Sequence, residues 1–145
     1  MRWDLEAIAK LKDYSAKKNA AANIPEEIAR LEDDFKHIRS ATTDSTPVDG
    51  GGNKREDMLL SNICLRAELW HQLNDVERWI ATMDGALAKL DASERLVLER
   101  FYITPHKGSI DRLCEELAIE KATVYRRKEA AVRKFAKVLY GGIEN

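Results

Sequence analysis

The sequence predicts an all-α fold, and three features lead to this expectation. Residues that break helices are scarce: the 145 residues include three Pro and seven Gly, and three of the glycines are consecutive at 50–52. Charged residues make up 34% of the chain and hydrophobic residues 44%, a balance that suits amphipathic helices. Apolar residues also recur at intervals of three and four along most of the chain. The length fits one globular domain, or one small domain with an appendage.

Residues 1–40 are expected to form an N-terminal helical hairpin. Apolar residues at helical spacing predict a first helix over about residues 3–22. Pro25 interrupts the pattern and suits the first position of a second helix, where its missing N–H has no partner to lose. The second helix carries a short apolar seam formed by Ile28, Leu31, Phe35 and Ile38.

Residues 41–53 differ from the rest in composition and are interpreted as a flexible Gly/Ser/Thr linker. Turn-forming residues dominate the segment, and no apolar periodicity continues through it. A phosphate-binding loop is the alternative that three consecutive glycines raise. No G-x-x-x-x-G-K-[ST] pattern occurs, and no predicted strand precedes the glycines, so the linker is favoured.

Residues 54–90 predict a long helix used for packing or dimerisation. An apolar stripe follows alternating steps of four and three up to Leu90, and Met58, Asn62 and Leu65 extend it backward. This stripe must be buried, either on the N-terminal hairpin of the same chain or on the same helix of a second chain, and the sequence leaves both arrangements open. The candidate oligomerisation residues are Leu69, Leu73, Val76, Ile80, Met83 and Leu87.

Residues 91–145 predict a helix-turn-helix DNA-binding domain of three helices. Asp91 and Glu94 form a variant of the capping box before a helix over residues 93–102. Ser109 is expected to cap a short helix over residues 110–117, and Ala118-Ile119-Glu120 forms a tight turn in which Ile119 fills the core. A third, longer helix begins near Lys121. Its predicted buried residues are Val124, Ala131, Val132, Phe135, Val138 and Leu139.

The third helix carries a concentrated positive charge. Between residues 121 and 137 the chain has seven Lys or Arg and one acid, a local charge of +6, whereas the whole chain is at −1. Such a helix on a nearly neutral protein indicates a nucleic-acid site, and double-stranded DNA is the expected partner. The alternative is a solvated basic face on a helix that serves only the core.

A 3.6-residue period predicts which side chains in the first half of this helix point outward: Lys121, Ala122, Tyr125, Arg126 and Glu129. Arg126 is the first candidate for reading bases in the major groove, followed by Lys121 and Tyr125, while Ala122 is small enough to permit close approach. The residues assigned to DNA phosphates, which position a protein without reading sequence, are Thr123, Arg127, Lys128, Ser109 and Lys107.

Other classes of function find little support in the sequence. Cys64 and Cys114 belong to no C-x-x-C pair and the three histidines are scattered, so no metal site and no cofactor are expected. No nucleophile–base pattern stands out, so the chain is not expected to be an enzyme. No apolar run approaches the roughly 18 residues of a membrane span, and the N-terminus lacks a signal-peptide pattern. We therefore expect a cytoplasmic protein with no membrane partner.

The C-terminal segment resembles region 4 of the sigma-70 family. The likeness lies in the turn at residues 117–121, in Val124, and in Ala131-Val132-Arg133-Lys134-Phe135. Glu120, Ala122 and Arg126 depart from the residues usual in region 4, so promoter specificity does not carry over. The resemblance implies a sigma-like helix-turn-helix at the end of an all-α chain.

The wider layout is similar to the ArpU/RinA group of phage transcription regulators. Helical N-terminal segments, a Gly/Ser/Thr-rich linker, a long helix and a sigma-like helix-turn-helix occur in the same order. The resemblance implies a phage or prophage activator of late genes that acts at a promoter in a bacterial host cell. Two other functions remain open: a DNA-packaging protein of the small-terminase kind, and a module that binds RNA polymerase or a sigma factor without reading DNA.

Overall fold

The structure is a computed structural model that describes residues 2–41 and 51–141, with side chains from residue 54 onward in the second range. All regular elements in these ranges are helical, so the predicted all-α class is confirmed. The helices are α1 (Trp3–Ser40), α2 (Gly51–Ala88), α3 (Ala92–Leu98), α4 (Ser109–Leu117) and α5 (Lys121–Leu139), with a π-helical turn at Glu99–Ile103 directly after α3.

The predicted helical hairpin within residues 1–40 is wrong, because α1 is one continuous helix that contains Pro25. A proline in a helix interior costs about 3 kcal/mol, since it removes one hydrogen bond and crowds the preceding turn. Alanines and glutamates flank Pro25 and favour helix, and α1 buries apolar residues before it at Leu11 and after it at Ile28 and Leu31. These contributions offset the local cost of the proline.

The predicted linker at 41–53 falls largely outside the described residues, which resume at residue 51. The long helix predicted over 54–90 is present, but α2 begins three residues earlier, at Gly51, and ends at Ala88. Helix α3 starts at Ala92 with the predicted capping box. The Glu94 N–H donates to Asp91 Oδ1 over 2.8 Å, and the Asp91 N–H donates to Glu94 Oε1 over 2.9 Å.

The chain divides into two compact units. The larger unit combines the first 18 residues with residues from 79 onward. In its main core, Leu11 of α1 and Met83 of α2 pack with Phe135 of α5 and Leu98 of α3. Tyr14 of α1 donates a 2.5 Å hydrogen bond to Asp84 of α2. Burial and this hydrogen bond raise the pKa of Tyr14 to about 12.

The smaller unit contains residues 19–78. Ile28 and Leu31 of α1 are buried in it, as are Asn62 and Leu73 of α2. The Asn62 side chain donates to the Leu31 carbonyl over 2.8 Å and accepts a 2.8 Å hydrogen bond from Arg66 Nε. Met58 and Leu65, predicted to share the buried stripe with Asn62, are instead 48% and 49% exposed. The amide of Asn62 is therefore hydrogen-bonded through both its nitrogen and its oxygen, whereas Met58 and Leu65 face outward.

The π-helical turn changes the direction of the side chains that follow α3. The Thr104 N–H donates to the Glu99 carbonyl over 2.8 Å, an i to i−5 bond that accommodates one extra residue in the turn. Phe101 consequently packs against a second hydrophobic cluster, whereas Tyr102 and Ile103 pack against the main core. The helix predicted over residues 93–102 is therefore present with a wider final turn.

Candidate nucleic-acid interface

Helices α4 and α5 are held together by a second hydrophobic cluster. Val97 of α3, Leu113 of α4 and Val124 of α5 form its buried centre. Around it pack the partly buried side chains of Leu96, Phe101, Ile110, Cys114, Leu117 and Ile119. This cluster packs the first half of α5 against α3 and α4 within the larger unit.

The turn between α4 and α5 is tight because Ala118 adopts a left-handed conformation, with φ 55° and ψ 45°. The Ala118 N–H donates to the Glu115 carbonyl over 3.3 Å, and the Ile119 N–H donates to the Cys114 carbonyl over 3.2 Å. A residue other than glycine pays roughly 1–2 kcal/mol for this backbone conformation. Ile119 then packs into the second cluster, as the sequence predicted.

The start of α5 lacks the features that usually stabilise a helix N-terminus. Glu120 occupies the N-cap position in an extended conformation, but its side chain makes no capping hydrogen bond. The first turn contains no acid and begins with Lys121. Positive charge next to the positive end of the helix dipole is unfavourable, and an anion placed there would offset it.

The predicted outward face is exposed along the first half of α5. The five residues predicted to point outward are all exposed: Lys121, Ala122, Tyr125, Arg126 and Glu129. Arg127 is exposed beside them, and Thr123 and Lys128 are half-buried at the edges of the face. Within the described part of the chain, no salt bridge to an acid involves the cations at 121, 126 or 127. The Arg126 guanidinium lies 3.5 Å from the Thr123 hydroxyl, at the limit of a hydrogen bond. This face therefore presents more positive than negative charge, and its exposed cations at 121, 126 and 127 form no salt bridge within the described residues.

An aromatic contact that the sequence did not predict supports this face. The rings of Phe101 and Tyr125 meet edge to face with centroids 5.5 Å apart. Lys128 Nζ lies 5.5 Å from the centroid of each ring. The i, i+3 spacing of Tyr125 and Lys128 is visible in the sequence, but their contact with Phe101 depends on the π-helical turn. Tyr125 and Lys128 are thus held by Phe101.

The two predicted phosphate contacts outside α5 differ in accessibility. Ser109 does not cap α4 as predicted: Gly108 is the N-cap, with φ 82°, and no side chain caps the helix. Ser109 instead accepts the His106 N–H over 2.9 Å and is 8% exposed. Lys107 is exposed, and with Arg112 it lines an open pocket at the start of α4. The local turn formed with His106 draws Ser109 inward and leaves Lys107 facing solvent.

The second half of α5 uses its charge within the chain. Lys134 Nζ donates to Glu94 Oε1 over 2.9 Å, and this hydrogen bond raises the pKa of Lys134. The hydrogen bond from the Glu94 backbone N–H lowers the pKa of Asp91, and the positive charge of Lys134 also lowers it. Lys134 thus joins α5 to the capping box of α3, whereas the exposed cations of the first half carry no such role.

The structure places the six candidate oligomerisation residues of α2 facing the interior of a single chain. Leu73 and Met83 are buried, with 4% and 1% of their surface exposed. The other four, Leu69, Val76, Ile80 and Leu87, are half-buried. The stripe that the sequence left open to two arrangements is therefore largely covered without a second chain.

Within residues 2–41 and 51–141, no helix has the length and apolar character needed to cross a bilayer. Nor do three or more His, Cys, Asp or Glu side chains in those ranges converge as metal ligands.

Comparison with known proteins shows a family match. Residues 37–136 match the family described as "Protein of unknown function (DUF1492)". No curated protein and no solved structure matches the chain. The matched segment spans well over half of the chain and includes α2, the second hydrophobic cluster and the exposed face of α5. The chain therefore belongs to the DUF1492 family.

Proposed function

We propose that this protein is a sequence-specific regulator of transcription that binds double-stranded DNA through α5. The observation that carries the proposal is the exposed first half of α5, where Lys121, Arg126 and Arg127 have no acidic partner among the residues that the structure describes. A helix that served only the core would gain stability from acids in its first turn, and α5 has none there. Phosphates of DNA would supply the missing negative charge.

In this proposal, α4, the turn at Ala118 and α5 act as a helix-turn-helix. The first residues of α5 enter the major groove, where Arg126 pairs with the acceptor atoms of guanine. Lys121 and Tyr125 contact neighbouring bases, and the small Ala122 permits close approach of the helix. Phosphate contacts fall to the remaining polar side chains around the face, Thr123, Arg127, Lys128 and Lys107.

The biological role that we propose comes from the resemblance to phage regulators. It is activation of late genes of a phage or prophage at a promoter, with RNA polymerase as a second partner. The resemblance covers the order of segments and the turn before α5, and the exposed cations of α5 support the DNA-binding part of this role.

Selection of bound sequences from a random pool of DNA duplexes, at two salt concentrations, tests the proposal. We expect a defined motif, and an affinity that falls with a log–log slope of about −0.9 per neutralised phosphate. Replacing Arg126 with Ala should cost about 1–3 kcal/mol and relax specificity at one base position. Arg95→Ala is the matched control, because Arg95 is an exposed arginine of α3 outside this face. Absence of binding at low salt would reject the proposal.

A further inference from the structure

A cleft of about 240 Å³ lies between the start of α1 and the middle of α5, within the larger unit. Part of its lining is apolar: Val132 is 4% exposed, Ile8 is half-buried, and Leu5 is 55% exposed. Ile8 and Val132 also pack in the main core. We call this space the α1–α5 cleft. Pockets for drug-sized ligands measure about 300–1,000 Å³, so its volume suits a smaller molecule with an apolar part.

Charges of both signs surround this apolar lining. The N-terminal wall of the cleft contributes Arg2 and Asp4, and α5 contributes Arg133 and Glu129. None of these four side chains forms a salt bridge with any residue that the structure describes. Glu129 and Arg133 are four residues apart on one helix, a spacing at which such pairs commonly meet. Each wall therefore presents one cation and one acid that have no partner among the described residues.

The half-buried Tyr102 adds a neutral polar group to the cleft. Burial raises the pKa of Tyr102, and the negative charge of Glu129 raises it further, so the hydroxyl stays protonated at neutral pH. This influence also shows that the Tyr102 hydroxyl and the Glu129 carboxylate lie close together at the cleft. Within the described ranges this hydroxyl forms no hydrogen bond to the protein, so it remains available to a polar ligand.

A ligand complementary to this lining must carry both charges itself. A simple carboxylate would meet the two acids, and a simple amine would meet the cations, so each would be opposed by like charge. A free amino acid offers its carboxylate to the arginines, its ammonium group to the acids and its side chain to the apolar lining. We propose that the α1–α5 cleft binds a free α-amino acid with an apolar side chain. The inference does not rest on DNA binding, although Lys128 lines the cleft and also contacts Tyr125 on the exposed face of α5.

Isothermal titration calorimetry of the intact protein, without DNA, tests this site with L-leucine, L-methionine and L-phenylalanine as probes. We expect at least one of the three to bind with a Kd below about 1 mM. Glycine has the same charges but no apolar side chain, and it should bind at least about tenfold more weakly. Binding of none of the three below that Kd, or equal affinity for glycine, would overturn the proposal.

Analogues of the amino acid that binds most tightly test the need for both charges. For L-leucine these are 4-methylpentanoate, which lacks the amino group, and 3-methylbutylamine, which lacks the carboxyl group. Each analogue should bind at least about tenfold more weakly than the amino acid, because it leaves charges of one sign in the cleft without a partner. An analogue that binds as tightly as the amino acid would show that the cleft does not select a zwitterion.

Two substitutions on α5 test where the amino acid binds. Arg133→Ala and Glu129→Gln each remove one charge from the cleft and should weaken binding about tenfold. Their matched controls, Arg127→Ala on α5 and Glu115→Gln on α4, change residues that do not line the cleft and should bind like the wild type. All four side chains are exposed, so each variant should keep its helical circular dichroism. Wild-type affinity in both cleft variants, or equal losses in the controls, would place the ligand elsewhere and reject the proposal.

Discussion

Phe101 connects the packing of the larger unit to the proposed DNA-binding face. Replacing it with Leu keeps an apolar side chain but removes the edge-to-face contact with Tyr125 and the contact with Lys128. The expected loss in the free energy of unfolding, measured with urea, is about 0.5–1.5 kcal/mol. Tyr125→Phe keeps the ring and serves as the control with unchanged stability. Equal stability of Phe101→Leu and wild type would show that the aromatic contact contributes nothing.

Asp91 makes stability depend on pH in the acidic range. The Glu94 N–H lowers the pKa of Asp91 below its ordinary value of 3.8, so the ionised cap stabilises the folded state above that pH. This contribution is lost as the pH falls below 3.8 toward the lower value of the folded protein. Asp91→Asn should keep the cap at pH 7 and reduce the loss of stability at pH 3, whereas Asp91→Ala should lose the cap at both. Urea midpoints at the two pH values measure this, and identical acid sensitivity of Asp91→Asn and wild type would contradict it.

At the scale of elements, Asn62 ties α2 to α1 within the smaller unit. Its side chain bonds the Leu31 carbonyl and Arg66, so Asn62→Ala leaves the buried part of Arg66 without its acceptor. We expect a loss of about 1–3 kcal/mol in the free energy of unfolding. Ser61→Ala, at the exposed preceding position, should change it little. Comparable effects of the two variants in urea unfolding would mean that the buried hydrogen bonds are not what stabilises this unit.

The elements that could be predicted from sequence are those set by neighbouring residues. The capping box at Asp91, the position of Ile119 and the start of α5 at Lys121 depend on contacts a few residues apart, and the structure confirms them. The passage of α1 through Pro25 depends on packing against distant segments, which sequence periodicity does not report. The proposed interface was likewise predicted only in part. The exposure of its cations follows from the helical period of α5, whereas the contact of Phe101 with Tyr125 and Lys128 depends on the π-helical turn.

At the scale of the molecule, the core of the larger unit combines segments that lie far apart in the sequence. Ala7 and Leu11 are fully buried in the core that Phe135 and Val132 of α5 also share. Deleting residues 1–18 should therefore expose the apolar surface of Met83 and α5, and broaden or abolish the thermal transition seen by circular dichroism. A fragment of residues 91–145, the predicted helix-turn-helix domain, should likewise show a broadened or absent thermal transition. A cooperative transition in either fragment would show that the N-terminal segment is dispensable.

The shared core of α1 and α5 also sets an order for folding on the ribosome. Leu11 leaves the exit tunnel long before Phe135 is synthesised, and more than one hundred residues separate the two in the chain. The smaller unit, residues 19–78, is complete early and can fold while translation continues. The larger unit closes only after α5 has emerged, so its contacts between α1 and α5 form late. During that interval the apolar side of the N-terminal helix is available to chaperones.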